Sequence, residues 1–217
     1  MRPRARLRAA VFDLDGTLID SLSLVLRSIA HALEPFGAKP TAEIFARLGG
    51  PPERFLPALL TDVRHVPAAL ARMDTYHREN WHTVRAFDGV GALLGELQRG
   101  GIKLAVWTGR DRESGAWLLR ELRLENFFGT VVYGDDLPTH KPDPEGLREI
   151  MRRLGVEAGE TLFVGDADVD VLGGVACGVD TVLIRHGRDI AEAVAAQSWA
   201  AVATPAEAFA LLLRAMV

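Results

Sequence analysis

The chain alternates short apolar runs with longer segments in which apolar residues recur every three or four positions. The apolar runs predict buried strands at residues 9–12, 102–107, 131–133, 161–164, 181–184 and 200–202. The helical spacing between them predicts helices at residues 89–98, 113–122, 144–154, 169–177, 190–196 and 205–215. Strands that alternate with helices indicate a parallel sheet covered on both faces. We therefore predict an α/β fold with a doubly wound parallel sheet.

Residues 20–84 interrupt this alternation, because helical spacing continues there and no segment reads as a strand. Helices are predicted at 22–33, where Asp20 or Ser21 can act as the cap, at 41–48, and across 55–60 and 67–82. The chain leaves the sheet after the first strand and returns before the second. We expect an all-helical cap subdomain at residues 20–84, which overhangs the carboxyl edge of a core built from residues 1–19 and 85–217.

Two carboxylates follow the first strand two positions apart. Asp13 and Asp15 share one face of extended backbone, so they are expected to lie together at the end of the strand. Adjacent anions repel unless a cation lies between them, and oxygen ligands suit a hard divalent ion. Gly16 permits a sharp exit from the strand. Because Asp and Gly are also common in solvated turns, this motif needs support from the rest of the chain.

Polar residues also end the other strands. Thr108 follows the second strand, Lys141 lies in the loop after the third, and Asp166 follows the fourth, with Asp168 and Asp170 close behind. Ligands of open parallel sheets bind beyond the carboxyl ends of the strands. These residues are therefore expected to meet the two carboxylates of the first strand in one crevice.

Composition narrows the function classes. The 217 residues fit one domain with an insertion, and 48% of them are hydrophobic, which is enough for a sizeable core. The net charge of −4 and the pI of about 5.9 argue against nucleic acid as the partner. Cys177 is the single cysteine, which favours a reducing, cytoplasmic compartment. The basic start has no apolar signal region behind it, and no uncharged run approaches the ~18 residues of a membrane span, so a soluble protein is expected.

Four motifs occur in order along the chain: Asp13-Leu14-Asp15-Gly16-Thr17-Leu18, Val106-Trp107-Thr108-Gly109, Lys141-Pro142-Asp143-Pro144 and Val164-Gly165-Asp166-Ala167-Asp168-Val169-Asp170. Together they resemble the haloacid dehalogenase-like superfamily, in its subgroup with a helical cap inserted after the first motif. Each motif alone is weak, but the likeness covers nearly the whole chain. The resemblance implies a Rossmann-like core, and the overall layout is most similar to that of phosphoglycolate phosphatases.

The resemblance implies Mg²⁺-dependent hydrolysis of a small phosphate monoester through an aspartyl-phosphate intermediate. Asp13 would be the nucleophile, and Asp15 would protonate the leaving oxygen and then deprotonate the attacking water. Mg²⁺ would bind the Asp13 carboxylate, the Asp15 carbonyl and the Asp166 carboxylate, with Asp170 as a ligand directly or through water. The catalytic set so implied is Asp13, Asp15, Thr108 and Lys141. The substrate-binding set is Thr108, Gly109, Arg110 and Lys141.

Two features depart from the family pattern. Gly109-Arg110 follows the threonine of the second motif where Asn is frequent, and the charge of Arg110 is expected to reach the substrate or the cap. Asp168 lies inside the fourth motif, where it is interpreted as a helix-start carboxylate favoured by the helix dipole. His140, beside the lysine of the third motif, is interpreted as a surface residue.

The cap loop near Gly49-Gly50 is where this family usually reads its substrate. Arg47 and Arg54 flank this loop, and they either hold an anionic group of the substrate or belong to a solvated helix face. Trp81 and His82 lie where the cap returns to the core, so they are candidates for lining the cleft.

Three functions remain open from the sequence. A phosphatase passes the phosphoryl group to water, a phosphotransferase resembling β-phosphoglucomutase passes it to a sugar, and a non-catalytic protein only binds a phosphate ligand. The intact set of Asp13, Asp15, Lys141 and Asp166 argues against the third. Asp15 also argues against halide displacement, because dehalogenases of the superfamily lack an acid at this position. The expected partner is a small-molecule phosphate ester, with neither nucleic acid nor membrane, bound by a monomer or a homodimer.

Overall fold

The structure, a computed structural model, describes residues 7–40, 52–187 and 190–216. Six strands form its central sheet: β1 (Ala9–Phe12), β4 (Lys103–Trp107), β5 (Thr130–Val132), β6 (Thr161–Gly165), β7 (Asp180–Ile184) and β8 (Ala200–Val202). They pair in the order β5-β4-β1-β6-β7-β8, and every pair is parallel. The predicted α/β fold with a doubly wound parallel sheet is confirmed.

The helices follow the strands in the predicted order. They are α1 (Leu22–Leu33), α2 (Pro52–Phe55), α3 (Val66–Asn80), α4 (Val90–Arg99), α5 (Arg112–Glu121), α6 (Glu145–Leu154), α7 (Asp168–Cys177), α8 (Glu192–Ala195) and α9 (Pro205–Ala215). Single 3₁₀ turns lie at Glu34–Phe36, Leu56–Leu59, Val63–His65, Trp81–Thr83, Glu125–Phe127 and Ala158–Glu160. The predicted helix at 41–48 and the Gly49-Gly50 loop lie outside the described residues.

The sheet separates two apolar layers. Every residue of β1 is fully buried, and because side chains alternate along a strand, its residues pack into both layers. Ala10 and Phe12 belong to the larger cluster, whereas Ala9 and Val11 belong to the smaller one. This continuous burial is typical of a central parallel strand. It fixes the carboxyl end of β1 as a rigid platform for the residues that follow.

The cap has an apolar core of its own. Helices α1 and α3 pack against each other through Ile29, Leu33, Ala69 and Met73, and this cluster is separate from those of the sheet. Ser21 occupies the N-cap position of α1, but its hydroxyl makes no capping bond. Ser21, one of the two cap candidates, therefore takes the N-cap position without capping the helix through its side chain.

A two-stranded antiparallel ribbon joins cap and core. It consists of β2 (Ile19–Asp20) and β3 (Arg85–Ala86), paired Ile19 to Ala86 and Asp20 to Arg85. The pattern of residues 20–84 did not predict a strand there, since two residues show no periodicity. The boundaries that we propose between core and cap, after residue 19 and before residue 85, lie within this ribbon. In the described ranges, no helix combines the length and apolarity needed to cross a bilayer.

Candidate active site

The carboxyl end of β1 places Asp13 next to β6. The backbone N–H of Asp13 donates to the carbonyl of Val164 at 2.8 Å, which continues the ladder between the two strands. The Asp13 side chain is buried but lines the cavity between core and cap. The backbone beyond Asp13 then leaves the sheet at Gly16, whose φ is +72°.

Gly16 brings the loop after β1 against the end of β6. A Cβ atom at this position would lie 2.0 Å from Oδ2 of Asp166. No side chain fits at that distance, and the positive φ also favours glycine. Gly16 is therefore required both for the turn and for the close approach of the two strand ends.

Lys141 is a buried cation at the centre of the site. Its Nζ donates to Oδ1 of Asp13 at 2.6 Å and to Oδ1 of Asp170 at 2.7 Å. The same Nζ lies 5.0 Å from the ring centroid of Trp107 and 5.3 Å from that of Phe163. Burial disfavours the charged amine, yet Asp13 and Asp170 raise the pKa of Lys141 above its ordinary value. Lys141 thus carries its charge where the strand ends meet.

Asp170 ties the end of β6 to the start of α7. Its Oδ2 accepts the backbone N–H groups of Asp166 at 3.1 Å and Ala167 at 3.0 Å. With Lys141 on the other oxygen, both carboxylate oxygens of Asp170 accept hydrogen bonds from the protein. Asp168, by contrast, accepts the backbone N–H of Val169 at 2.8 Å and lies outside the cavity lining, which agrees with its interpretation as a helix-start carboxylate.

Three buried carboxylates form a group that fits a metal ion. Oxygen atoms of Asp13, Asp166 and Asp170 lie within 4.8 Å of one another. Hard oxygen donors at this spacing suit a divalent cation such as Mg²⁺. The Asp15 carboxylate is not in the group, so only its backbone carbonyl remains as a possible ligand.

The buried carboxylates around Asp13 repel one another. Lys141 pairs with Asp13 and with Asp170, and Arg110 pairs with Asp15. Burial is the largest cause that raises the pKa of Asp13 to about 7, and Asp170 and Asp15 add to it, whereas Lys141 acts in the opposite direction. A bound divalent cation would favour the ionised form of Asp13.

Asp15 turns away from this group and binds Arg110. Nε of Arg110 donates to Oδ2 of Asp15 and Nη2 donates to Oδ1, both at 2.6 Å. The hydroxyl of Ser21 also donates to Oδ1 of Asp15. Although burial opposes it, the Arg110 guanidinium keeps the pKa of Asp15 below its ordinary value. Arg110 itself reaches the cap, where its Nη1 lies 3.0 Å from Nε2 of His77.

The second motif lies beside the cavity and partly within its wall. Gly109 and Arg110 line the main cavity, whereas the buried Thr108 lines a small adjoining recess. The hydroxyl of Thr108 accepts the backbone N–H of Arg110 at 3.2 Å. Asp111 caps α5 by accepting the N–H of Ser114 at 2.8 Å.

A cavity of about 870 Å³ opens between core and cap. The acids, Lys141 and Arg110 line its core side, and the cap contributes Leu22, Val25, Phe55, Leu70, Met73, Asp74, His77 and Trp81. Trp81 therefore lines the cleft as considered from the sequence, whereas the exposed His82 does not. His140 is exposed as expected, but it also lines the cavity. Arg47 and the side chain of Arg54 lie outside the described part of the chain.

Two residues of the site were missed from the sequence. Ser21 was considered only as a helix cap, and His77 had no assigned role. The sequence offers a weak signal for Ser21, since a hydroxyl soon after the Asp-x-Asp motif can turn back to it. His77 has no such signal, because the face that α3 turns towards the core is set by tertiary packing.

Comparisons with known proteins agree with this fold. Residues 10–184 match the family described as haloacid dehalogenase-like hydrolase. This match covers most of the chain, and the protein belongs to that family.

Individual relatives are similar over most of their length. Over 199 residues the chain is 35% identical to phosphoglycolate phosphatase 1 of Pseudomonas aeruginosa, and the aligned region covers 85% of this chain and 73% of the relative. The chain is 34% identical over 192 residues to the pyrophosphatase PpaX of Halalkalibacterium halodurans, and this alignment covers 83% of this chain and 84% of the relative. The crystal structure of a predicted phosphoglycolate phosphatase from Haemophilus somnus superposes with a TM-score of 0.81 at 22% identity, over 96% of this chain and 99% of the other, which supports the fold.

Proposed function

We propose that this protein is a Mg²⁺-dependent phosphatase, which hydrolyses a small phosphate monoester through an aspartyl-phosphate on Asp13. Family membership and relatives among phosphoglycolate phosphatases and pyrophosphatases support phosphoryl hydrolysis. The observation that carries the proposal is the buried group in which Asp13 contacts Lys141 and approaches Asp166 and Asp170 at the cavity wall.

We propose three ligands of Mg²⁺: the carboxylate of Asp13, the carboxylate of Asp166 and the backbone carbonyl of Asp15. Both oxygens of Asp170 already accept hydrogen bonds, which favours its contact with the ion through water. When bound, the cation screens the incoming phosphate from Asp13 and stabilises charge on the phosphoryl oxygens. The burial of the three carboxylates and the spacing of their oxygens support this assignment.

The chemistry proceeds in two steps. In the first, an oxygen of Asp13 attacks phosphorus, the bond to the ester oxygen breaks, and Asp15, in the protonated form that Arg110 disfavours, gives its proton to the leaving alkoxide. In the second, Asp15 takes a proton from water, the water oxygen attacks phosphorus, and the bond to Asp13 breaks. Phosphate leaves and the Asp13 carboxylate is restored.

The remaining residues hold the phosphoryl group. Lys141, next to Asp13, supplies positive charge, and Thr108 with the backbone of Gly109 supplies hydrogen-bond donors at the end of β4. Arg110 lines the same cavity, so its guanidinium can meet the ester as well as Asp15. We also propose a cytoplasmic location, which the unpaired thiol of Cys177 supports.

A panel of phosphate compounds, with free phosphate as the readout, tests the proposal. The panel contains phosphoglycolate, pyrophosphate, glucose 1-phosphate and p-nitrophenyl phosphate, each assayed with Mg²⁺ and again with EDTA. We expect phosphate release from at least one monoester, loss of release with EDTA, and recovery with added Mg²⁺.

Two outcomes would contradict the proposal. Phosphate release that does not respond to the metal would contradict the metal assignment. Transfer from glucose 1-phosphate to a sugar, with a bisphosphate sugar detected and little free phosphate, would favour the phosphotransferase.

A further inference from the structure

A hydrogen-bonded chain connects the cap to Asp15. It begins at Ser28 of α1, whose hydroxyl donates to the carbonyl of Leu24 at 2.8 Å. Nδ1 of His77 lies 3.3 Å from this hydroxyl, and its Nε2 lies 3.0 Å from Nη1 of Arg110. Arg110 then pairs with both oxygens of Asp15. The chain thus crosses from two cap helices to the core residue that we propose as acid and base.

The direction of these hydrogen bonds follows from the chemistry of the groups. A guanidinium can only donate, so Nε2 of His77 must accept from Arg110. The proton of the neutral imidazole then lies on Nδ1, which donates to the hydroxyl of Ser28. Burial lowers the pKa of His77 to about 4, and Arg110 contributes in the same direction. His77 therefore stays neutral near pH 7 and remains an acceptor.

The guanidinium of Arg110 fixes the plane of the Asp15 carboxylate through a bidentate contact. Two parallel N–H···O bonds at 2.6 Å hold both oxygens, whereas a single bond would leave the group free to rotate. The third nitrogen of the guanidinium is held by His77, and the Arg110 side chain is only 11% exposed. The orientation of Asp15 is thus held by its bidentate contact with Arg110, by the hydroxyl of Ser21 and, through Nη1 of Arg110, by a contact that His77 of the cap supplies.

We propose that Arg110 and His77 are positioning residues, which orient the Asp15 carboxylate for its proton transfer from the attacking water while the cap is closed on the core. The inference rests on the proposed phosphatase function. Both oxygens of Asp15 are held as acceptors, and this is the form that takes the proton from water as the bond between Asp13 and phosphorus breaks. Water attack on the intermediate is thereby tied to the closed cap.

This role makes a kinetic prediction that general damage to the fold does not. With p-nitrophenyl phosphate, the leaving group departs without protonation, so formation of the aspartyl-phosphate does not need a well-placed Asp15. Hydrolysis of the aspartyl-phosphate does need it, because Asp15 takes the proton from the attacking water. Since kcat/KM reports formation of the intermediate and kcat includes its hydrolysis, loss of the positioning contact lowers kcat and KM together and leaves their ratio nearly unchanged.

The test uses His77→Leu, which removes the acceptor at similar size. We expect kcat for p-nitrophenyl phosphate to fall about 10- to 100-fold, because a misplacement of ~1 Å costs up to about 10². The ratio kcat/KM should stay within about 3-fold, and stopped-flow mixing should show a burst of about one p-nitrophenol per active site. In His77→Gln, the amide oxygen replaces Nε2 as the acceptor, and most of the wild-type kcat should return.

His31→Leu is the matched control. His31 lies on α1 in the same cap, its Nε2 is 3.2 Å from Nη2 of Arg72, and it stacks on Tyr76, but it does not line the cavity. The control therefore loses a histidine–arginine contact of the same kind without affecting Asp15. We expect kcat and KM of the wild type, and no enlarged burst.

Several results would overturn the inference. The first is an equal loss in kcat and kcat/KM of His77→Leu without a burst. The second is unchanged kinetics in His77→Leu, and the third is a kcat that does not recover in His77→Gln. If His77→Leu does not fold, His77→Ala is used, which also removes the acceptor for Arg110; a kcat/KM that falls as far as kcat then rejects the inference. A wild-type protein that releases no p-nitrophenol contradicts the proposed function itself.

Discussion

At the scale of single residues, the site depends on how a few buried charges compensate one another. Lys141 lies between Asp13 and Asp170, and all three side chains are buried. A buried charge that loses its partner is costly, whereas one that is removed relieves desolvation. Substitutions of these buried charges should therefore have different effects on phosphate release and on the stability of the fold, and the two can be measured separately.

Asp13→Asn should abolish phosphate release and leave the fold intact. The amide has almost the same shape but cannot act as the nucleophile, so we expect activity to fall by at least about 10³-fold. The melting temperature should stay close to that of the wild type, because the buried charge of Asp13 is removed and Lys141 keeps Asp170 as a partner. Phosphate release and differential scanning fluorimetry measure the two effects.

Asp168→Asn is the matched control for that substitution. Asp168 lies two residues from Asp170, but its carboxylate accepts the backbone N–H of the adjacent Val169 and does not line the cavity. The activity of Asp168→Asn should therefore match that of the wild type. Substantial turnover by Asp13→Asn, in a sample free of wild-type enzyme, would remove Asp13 as the nucleophile.

His77 should make the stability of the folded chain depend on pH. Its pKa is about 4 in the fold, lowered first by burial and then by Arg110, against the opposing effects of Asp15 and Asp111, and its ordinary value is 6.5. As pH falls through 6.5, the unfolded chain binds a proton at His77 that the folded chain does not, so stability decreases until about pH 4. The expected loss at pH 5 is about 2 kcal/mol.

Urea unfolding at pH 7.5 and pH 5 measures this effect, with His77→Gln as the reference. Gln cannot titrate, so the difference between the two proteins removes the contribution of the carboxylates. The same loss of stability in both proteins between the two pH values would show that His77 is protonated equally in the folded and unfolded chains.

At the scale of elements, the strand ends are positioned by the approach of β1 to β6. Gly16→Ala introduces a Cβ atom into the space of the Asp166 carboxylate and also strains a backbone at positive φ. The strain costs about 1–2 kcal/mol. We expect that cost in urea unfolding, together with a loss of phosphate release of more than about 10-fold because Asp166 is displaced.

Gly155→Ala separates these two effects. Gly155 has a φ of +62° at the end of α6, and a Cβ atom there meets nothing within 4 Å. The control should therefore lose similar stability but keep its activity. If Gly16→Ala behaves in the same way as Gly155→Ala, the close approach to Asp166 does not matter for function.

Elements with a strong period were predictable from the sequence, and those defined by contacts were not. Strand β8 and helix α9 have the predicted limits because apolar spacing and turn residues mark them clearly. The ribbon of β2 and β3 is too short to show a period. In the site, acids at strand ends follow from topology, whereas the link from His77 to Arg110 joins residues 33 positions apart and depends on how the cap packs.

At the scale of the whole molecule, binding of a divalent cation should stabilise the fold. The buried carboxylates of Asp13, Asp166 and Asp170 come together only in the folded chain, so a cation that binds them there shifts the unfolding equilibrium towards the folded state. At about 100 times its Kd, Mg²⁺ should add ~2.7 kcal/mol. For a chain of this length, the melting temperature should then rise by about 5–10 °C.

Thermal unfolding with increasing MgCl₂, at constant ionic strength, measures this shift. Asp166→Asn is the comparison, because it removes one of the three carboxylates that face one another. We expect little or no rise in that variant. Equal rises in both proteins would place the stabilising ion elsewhere.

The paired strands at Ile19–Asp20 and Arg85–Ala86 have a consequence for how this architecture diversifies. The two crossings of the backbone run side by side, so the ends of the insertion lie roughly 5 Å apart. A tight turn could span that gap, and the parallel sheet would remain continuous without the sixty-odd intervening residues. Recombination at this ribbon could therefore exchange the cap while the sheet is inherited unchanged, and by the role that we propose for His77 the new cap would have to supply an acceptor for Arg110.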